Sequence, residues 1–197
     1  MRATATVSEV QPPAWTGRPR PELWHAGPRE SDIRFSLRHL VLARITGRVG
    51  RWRASFVIDL DQPGRSYIDV VIDAGSIETG APERDSYARS SEFLNVGRFP
   101  EIRFCSRDVR ARGDRRLIVT GDLTIRDVTR EVEVEVERTP AVAVRSQVSK
   151  LVFKGHVSVQ RQDFGLRWHG EPDHAAGLLA GDHIDIDFKV NARRGAK

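Results

Sequence analysis

The stretch Glu131-Val132-Glu133-Val134-Glu135-Val136-Glu137 decides the fold. Side chains of a β-strand alternate between two faces, so the three valines share one side and the four glutamates the other. A helix, turning by about 100° per residue, would mix the two kinds around its circumference. The stretch is therefore a strand with one apolar and one wet face. The same period recurs outward in both directions. Towards the C-terminus it appears in Leu151, Phe153, Val157 and Val159. It appears again in Ile184, Ile186, Phe188 and Val190, which alternate with Asp185, Asp187 and Lys189. Towards the N-terminus it appears in Leu117, Val119, Leu123 and Ile125, in phase with Gly121, where a missing side chain is expected to ease a sharp bend. Further back come Ile68, Val70 and Ile72 against Asp69 and Asp73, then Trp52, Ala54, Phe56, Ile58 and Leu60 against Arg51, Arg53, Ser55 and Asp59, and finally Ile33, Phe35 and Leu37.

Short links such as Arg126-Asp127 join neighbouring strands, and Asp127 is expected to take the left-handed backbone of a tight hairpin. Sequence neighbours then pair antiparallel. About eight such strands without long crossover helices must bury their apolar faces by stacking two sheets or by closing into a barrel, and closure removes the edges. The fold class is all-β, an antiparallel β-barrel of about eight strands. One interruption lies between Ile77 and Phe99. Pro82 suits the first turn of a helix, and Tyr87, Ser91 and Leu94 fall on one face at helical spacing, so a short helix is expected to cover the barrel. Arg38 to Arg44 is expected to hold a second helical turn.

Composition narrows the function. Of 197 residues 39% are hydrophobic and 30% charged, ordinary for one soluble domain and enough for a sizeable core. Residues 1–21, with Pro12, Pro13, Pro19 and Pro21, bury too little to offset ordering and are expected to be a flexible tail, leaving 22–197 as the barrel domain. No run approaches the roughly 20 apolar residues of a membrane span, and Met1 to Val10 lacks the apolar centre of a secretory signal, so a cytoplasmic protein is expected. The net charge is +5, almost all of the positive charge being arginine scattered among acids, which argues against nucleic acid as a partner. A lone Cys105 excludes an intramolecular disulfide and a cysteine-based zinc site. The chain has no G-x-S-x-G elbow, phosphate-cradling glycine loop or G-x-G-x-x-G fingerprint, so neither a catalytic residue nor a cofactor is expected. His169, Glu171, Asp173 and His174 lie close together beside Gly170 and Pro172, but their spacing matches no metal motif, and a solvated loop is the expected reading.

From Ser31 onward the chain resembles the YceI-like family of polyisoprenoid-binding proteins. The matching signatures are Phe35-Ser36-Leu37-Arg38-His39-Leu40, Ile72 through Gly80, Arg84-Asp85 with Arg89-Ser90, and the Phe99-Pro100 step. They continue in Thr120 through Ile125 with Val128-Thr129-Arg130, and in Asp163 through Leu166 with Trp168. The resemblance implies a lipocalin-like barrel enclosing an isoprenoid quinone, a polyprenyl lipid or a similar long-chain amphiphile, which it sequesters or transports without catalysis. The chain departs from the family in Glu30 before Ser31 and in Tyr87-Ala88, where the family often has histidine, and in Asp127 at a turn usually given to glycine.

The candidate ligand-binding residues are Phe35, Leu37, His39, Trp52, Phe56, Phe104, Leu123, Phe153, Phe164 and Trp168, all on the predicted inner face. Periodicity alone does not separate a filled core from a pocket lining; the resemblance favours lining. Trp52 and Trp168 stand out because an indole offers one donor together with a broad apolar wall. His39 is a candidate donor to a ligand oxygen, with Arg38 and Arg44 beside it. Two other readings stay open. One is a barrel enzyme that isomerises or cyclises an apolar substrate with His39 as acid or base; the other is a ligand-free interaction module. An exposed strand edge would also support a homodimer.

Overall fold

The computed structural model describes residues 23–39, 43–59, 61–139, 142–144, 147–167 and 180–194. Twelve strands and one helix follow in order. The strands are Leu23–Ala26 (β1), Asp32–His39 (β2), Ala43–Val49 (β3), Trp52–Val57 (β4), Tyr67–Asp73 (β5) and Ile77–Glu78 (β6). After the helix Pro82–Arg89 (α1) come Glu101–Arg112 (β7), Arg116–Ile125 (β8), Val128–Arg138 (β9), Val142–Val144 (β10), Gln147–Gln160 (β11) and Ala180–Arg194 (β12).

Every pairing is antiparallel, and the sheet closes on itself. The ring runs β11-β9-β8-β7-β5-β4-β1-β12, and β12 returns to β11 along Lys150↔Arg193 through Gln160↔His183. The protein is thus a closed eight-stranded antiparallel barrel of lipocalin-like form. Several of its staves are bent. Strand β12 pairs with β1 at its end and with β2 along the rest, so β1 and β2 form one interrupted stave; β3 with β4, and β5 with β6, behave likewise.

The alternation at Glu131–Glu137 has a direct structural counterpart. Val134 and Val136 are buried in the barrel while the four glutamates are exposed. On the outside, Arg107 reaches Asp122 at 2.8 Å, and Arg110 and Arg112 span β8 to meet Glu133 and Glu135 at 3.7 and 3.2 Å. The arginine stems shield the surface they cross, which accounts for Ile118 being buried although it faces outward.

Two apolar clusters fill the interior. The larger includes Trp24, Trp52, Phe56, Val119, Val134, Phe153 and Val190. The smaller gathers Leu94, Leu123, Ile125, Val159, Phe164 and Leu166 and plugs one end of the barrel. At the other end Trp24 pairs with Arg194, whose guanidinium lies 5.7 Å from the indole, beside the Leu151↔Ala192 pair.

Four local expectations need correction. The helix ends at Arg89, so Ser91 and Leu94 lie in the turns beyond it. There the amide of Leu94 donates to Ala88 O and its side chain enters the plug. Of the segment 38–44, Arg38 and His39 continue β2 and Ala43 and Arg44 open β3, paired as Arg38↔Arg44 and His39↔Ala43, so these four residues are strand and not helical turn, while 40–42 lie outside the described residues. In the Arg126-Asp127 turn the positive φ (59°) falls on Arg126, not Asp127. Gly121 lies in a continuous β8, and the register shift falls opposite it, between Ser106 and Asp108. That extra residue turns Val109 inward and breaks the period of β7.

Candidate functional site

The inner face encloses a cavity of about 150 Å³. Twenty side chains line it, all of them aliphatic or aromatic, contributed by β2, β4, β5, β7, β8, β9, β11 and β12 together with Ile58 just beyond β4. Along β8 the lining runs from Leu117 to Leu123, six steps of about 3.3 Å, so the cavity follows roughly 20 Å of strand. A small volume over that length makes it long and thin. An apolar cavity on this scale stays dry and takes an apolar guest.

Five of the ten candidate residues meet on this cavity: Trp52, Phe56, Phe104, Leu123 and Phe153. The rings of Phe56 and Phe153 pack at a tilt of 45° with centroids 6.2 Å apart. Phe35 and Leu37 are half-buried and do not line it, and Phe164, 2% exposed, belongs to the end plug. His39 ends β2, and its side chain lies outside the described residues; so do Trp168 and the His169 to His174 cluster. The expected tail, residues 1–21, also lies outside them.

Trp52 opens β4 opposite Ile72 and is 7% exposed. Its indole Nε1 is buried without a hydrogen-bond partner. The cavity surface is apolar throughout, so this nitrogen lies behind the wall and does not face the lumen, and an unpaired buried donor costs about 1–3 kcal/mol.

Sequence reasoning missed the remainder of the lining, aliphatic but for Phe188, which the alternation marks as inward-facing but does not separate from core. Among these are Val132 and Val134 of the fold-deciding stretch, and Ile186 and Phe188 on β12. It also missed the bracing of α1. Asp85, buried within that helix, accepts from Thr79 N at 2.8 Å and Thr79 Oγ1 at 2.5 Å, while Arg84 Nε donates to the same hydroxyl at 2.8 Å. These bonds tie the helix to the chain leaving β6. Cys105 is half-buried, its Sγ 3.3 Å from the Tyr67 hydroxyl, and burial together with this neighbour raises the phenol's pKa above its ordinary value. Among the described residues no helix is long and apolar enough to cross a membrane.

Residues 24–192 match the family described as YceI-like domain. A UPF0312 protein of Pseudomonas paraeruginosa is 33% identical over 135 residues, covering 68% of this chain and 70% of its own. The protein YceI of Salmonella newport is 36% identical over 103 residues, 52% of this chain and 53% of that one. Among solved structures, Burkholderia cenocepacia BcnA superposes with a TM-score of 0.71 at 18% identity, covering 82% of this chain and 96% of that one. A polyisoprenoid binding domain from Saccharophagus degradans, implicated in plant cell wall breakdown, gives 0.68 at 14% identity, with coverage of 87% and 98%.

Proposed function

The chain belongs to the YceI-like family, and from that membership and the form of the lumen we propose that the barrel binds a long-chain isoprenoid lipid and carries or sequesters it without chemical change. The observation that carries this reading is the cavity wall: long, thin, and apolar throughout. Such a wall favours a hydrocarbon chain, each buried methylene contributing about 0.8 kcal/mol, offset in part by the cost of ordering the chain. It offers no group with which to ionise or hydrolyse a guest. The solved polyisoprenoid binding domain with the same fold supports this ligand class.

Native mass spectrometry of gently purified protein, followed by organic extraction, tests the reading directly. A stoichiometric mass excess that extracts as a prenyl lipid is the expected result. A bare polypeptide that also fails to bind farnesol saturably in calorimetric titration would overturn it.

A further inference from the structure

Three glycines sit within strands at positions that face the barrel interior, and each has a phenylalanine ring where its β-carbon would stand. At Gly155 a β-carbon would lie 2.2 Å from Phe188 Cζ, at Gly121 2.7 Å from Phe104 Cζ, and at Gly47 2.2 Å from Phe35 Cζ. Contacts under 3.0 Å are not tolerated by real β-carbons, so each ring occupies space that only glycine leaves free, and at Gly121 the backbone of β7 crowds the same place, with Cys105 O at 2.5 Å and Ser106 Cα at 2.8 Å. Glycine weakens a strand interior, and its placement there marks a close approach by another group.

The pairs differ in one respect. Phe35 does not line the cavity, whereas Phe104 and Phe188 do. They rise from β7 and β12, which stand on opposite sides of the ring of eight strands. Each ring leans away from its own strand, over Gly121 of β8 and over Gly155 of β11. Both are thereby drawn against the wall and out of the lumen.

We propose that Gly121 and Gly155 determine the specificity of the lumen by setting its bore, holding two aromatic rings against the wall so that a methyl-branched chain passes where otherwise only an unbranched one would. This rests on the lipid-binding function proposed above. About 150 Å³ spread along roughly 20 Å of strand makes a thin lumen, so a phenyl ring displaced from the wall takes up most of the free space at its level. Methyl branches are the first feature excluded, because they widen a chain without lengthening it.

Farnesol and n-dodecanol make the test, since they share main-chain length and hydroxyl and differ in methyl branches and unsaturation. Both are titrated calorimetrically into wild type, Gly155→Ala, Phe188→Leu and the double variant Gly155→Ala/Phe188→Leu. Gly155→Ala is expected to lower farnesol affinity about tenfold or more while affecting n-dodecanol less, the scale on which a pocket discriminates single carbon groups. The double variant restores the wild-type ratio. A folded Gly155→Ala protein with an unchanged farnesol-to-dodecanol ratio overturns the inference while leaving the lipid-binding reading intact. Binding of neither alcohol by wild type overturns both. The β-carbon also approaches Glu135 O at 2.7 Å, so Phe188→Leu serves alone should Gly155→Ala not fold. It widens the bore and is expected to move the ratio towards farnesol, and a ratio that does not move overturns the inference.

Discussion

Replacing Trp52 by phenylalanine separates what this residue does for the fold from what it does for a ligand. In the free protein Trp52 Nε1–H is buried and unpaired, which costs about 1–3 kcal/mol. Phenylalanine removes that donor and with it roughly two carbons' worth of apolar burial, about 0.8 kcal/mol each. The two effects oppose each other, so the free variant is expected to be as stable as wild type or more stable by up to about 1 kcal/mol. A guest gains nothing from the donor, because the indole N–H is not exposed to the lumen. Phenylalanine takes from the wall at most about two carbons of contact, about 0.8 kcal/mol each, so farnesol should bind the variant more weakly by up to roughly fourteenfold. Farnesane, the same branched skeleton without hydroxyl or double bonds, should lose the same factor. Urea unfolding of the free proteins and calorimetric titration of both ligands form a cycle that isolates any coupling between the indole and the ligand hydroxyl. A loss confined to farnesol would refute the reading that the donor stays out of the lumen, and a stability loss above about 2 kcal/mol would refute the claim that the free N–H is a liability.

Three further outcomes follow from the geometry. Asp85→Ala leaves Thr79 N without its acceptor and frees α1 from the chain after β6, so chemical denaturation should show a loss of about 1.5–3 kcal/mol, as for hydrogen bonds to a charged group. Glu135→Ala, which removes an exposed partner of Arg112, should change stability by less than about 1 kcal/mol in the same assay. Tyr67 is held protonated in the fold by burial and by Cys105. Its contribution is complete below the ordinary tyrosine value near 10 and is lost as pH rises towards the higher folded value. Tyr67→Phe should therefore flatten the alkaline decline in melting temperature, and parallel declines in the two proteins would contradict this.

The parts of the fold legible in the sequence were those where one face is dry and the other wet over several residues. The strands β2, β4, β5, β8, β9, β11 and β12 carry that contrast and stand where alternation places them. The segment β7 hides it, because the extra residue between Ser106 and Asp108 shifts Val109 out of phase with Ile102 and Phe104. Strands β1 and β6 span only a few residues, too few for a period to show. Helix α1 was signalled by Pro82 but not its end, since Leu94 keeps helical spacing while serving as a plug from a turn.

The site was legible only as a set of inward residues. Alternation assigns Phe56, Phe104 and Phe153 to the lumen side but is silent on whether their rings meet across it or leave a gap between them. That depends on which cross-strand neighbours lack a side chain. Gly155 pairs with Phe188 across β11 and β12, positions 33 residues apart in sequence, and the pair becomes visible only once the register of the two strands is known. A glycine in a strand costs stability through its unfolded-state freedom, and here that cost leaves room for a ring that would otherwise stand in the lumen. The distinction between a filled barrel and a carrier therefore rests on glycine positions read together with their cross-strand partners, more than on the large apolar residues that first draw attention.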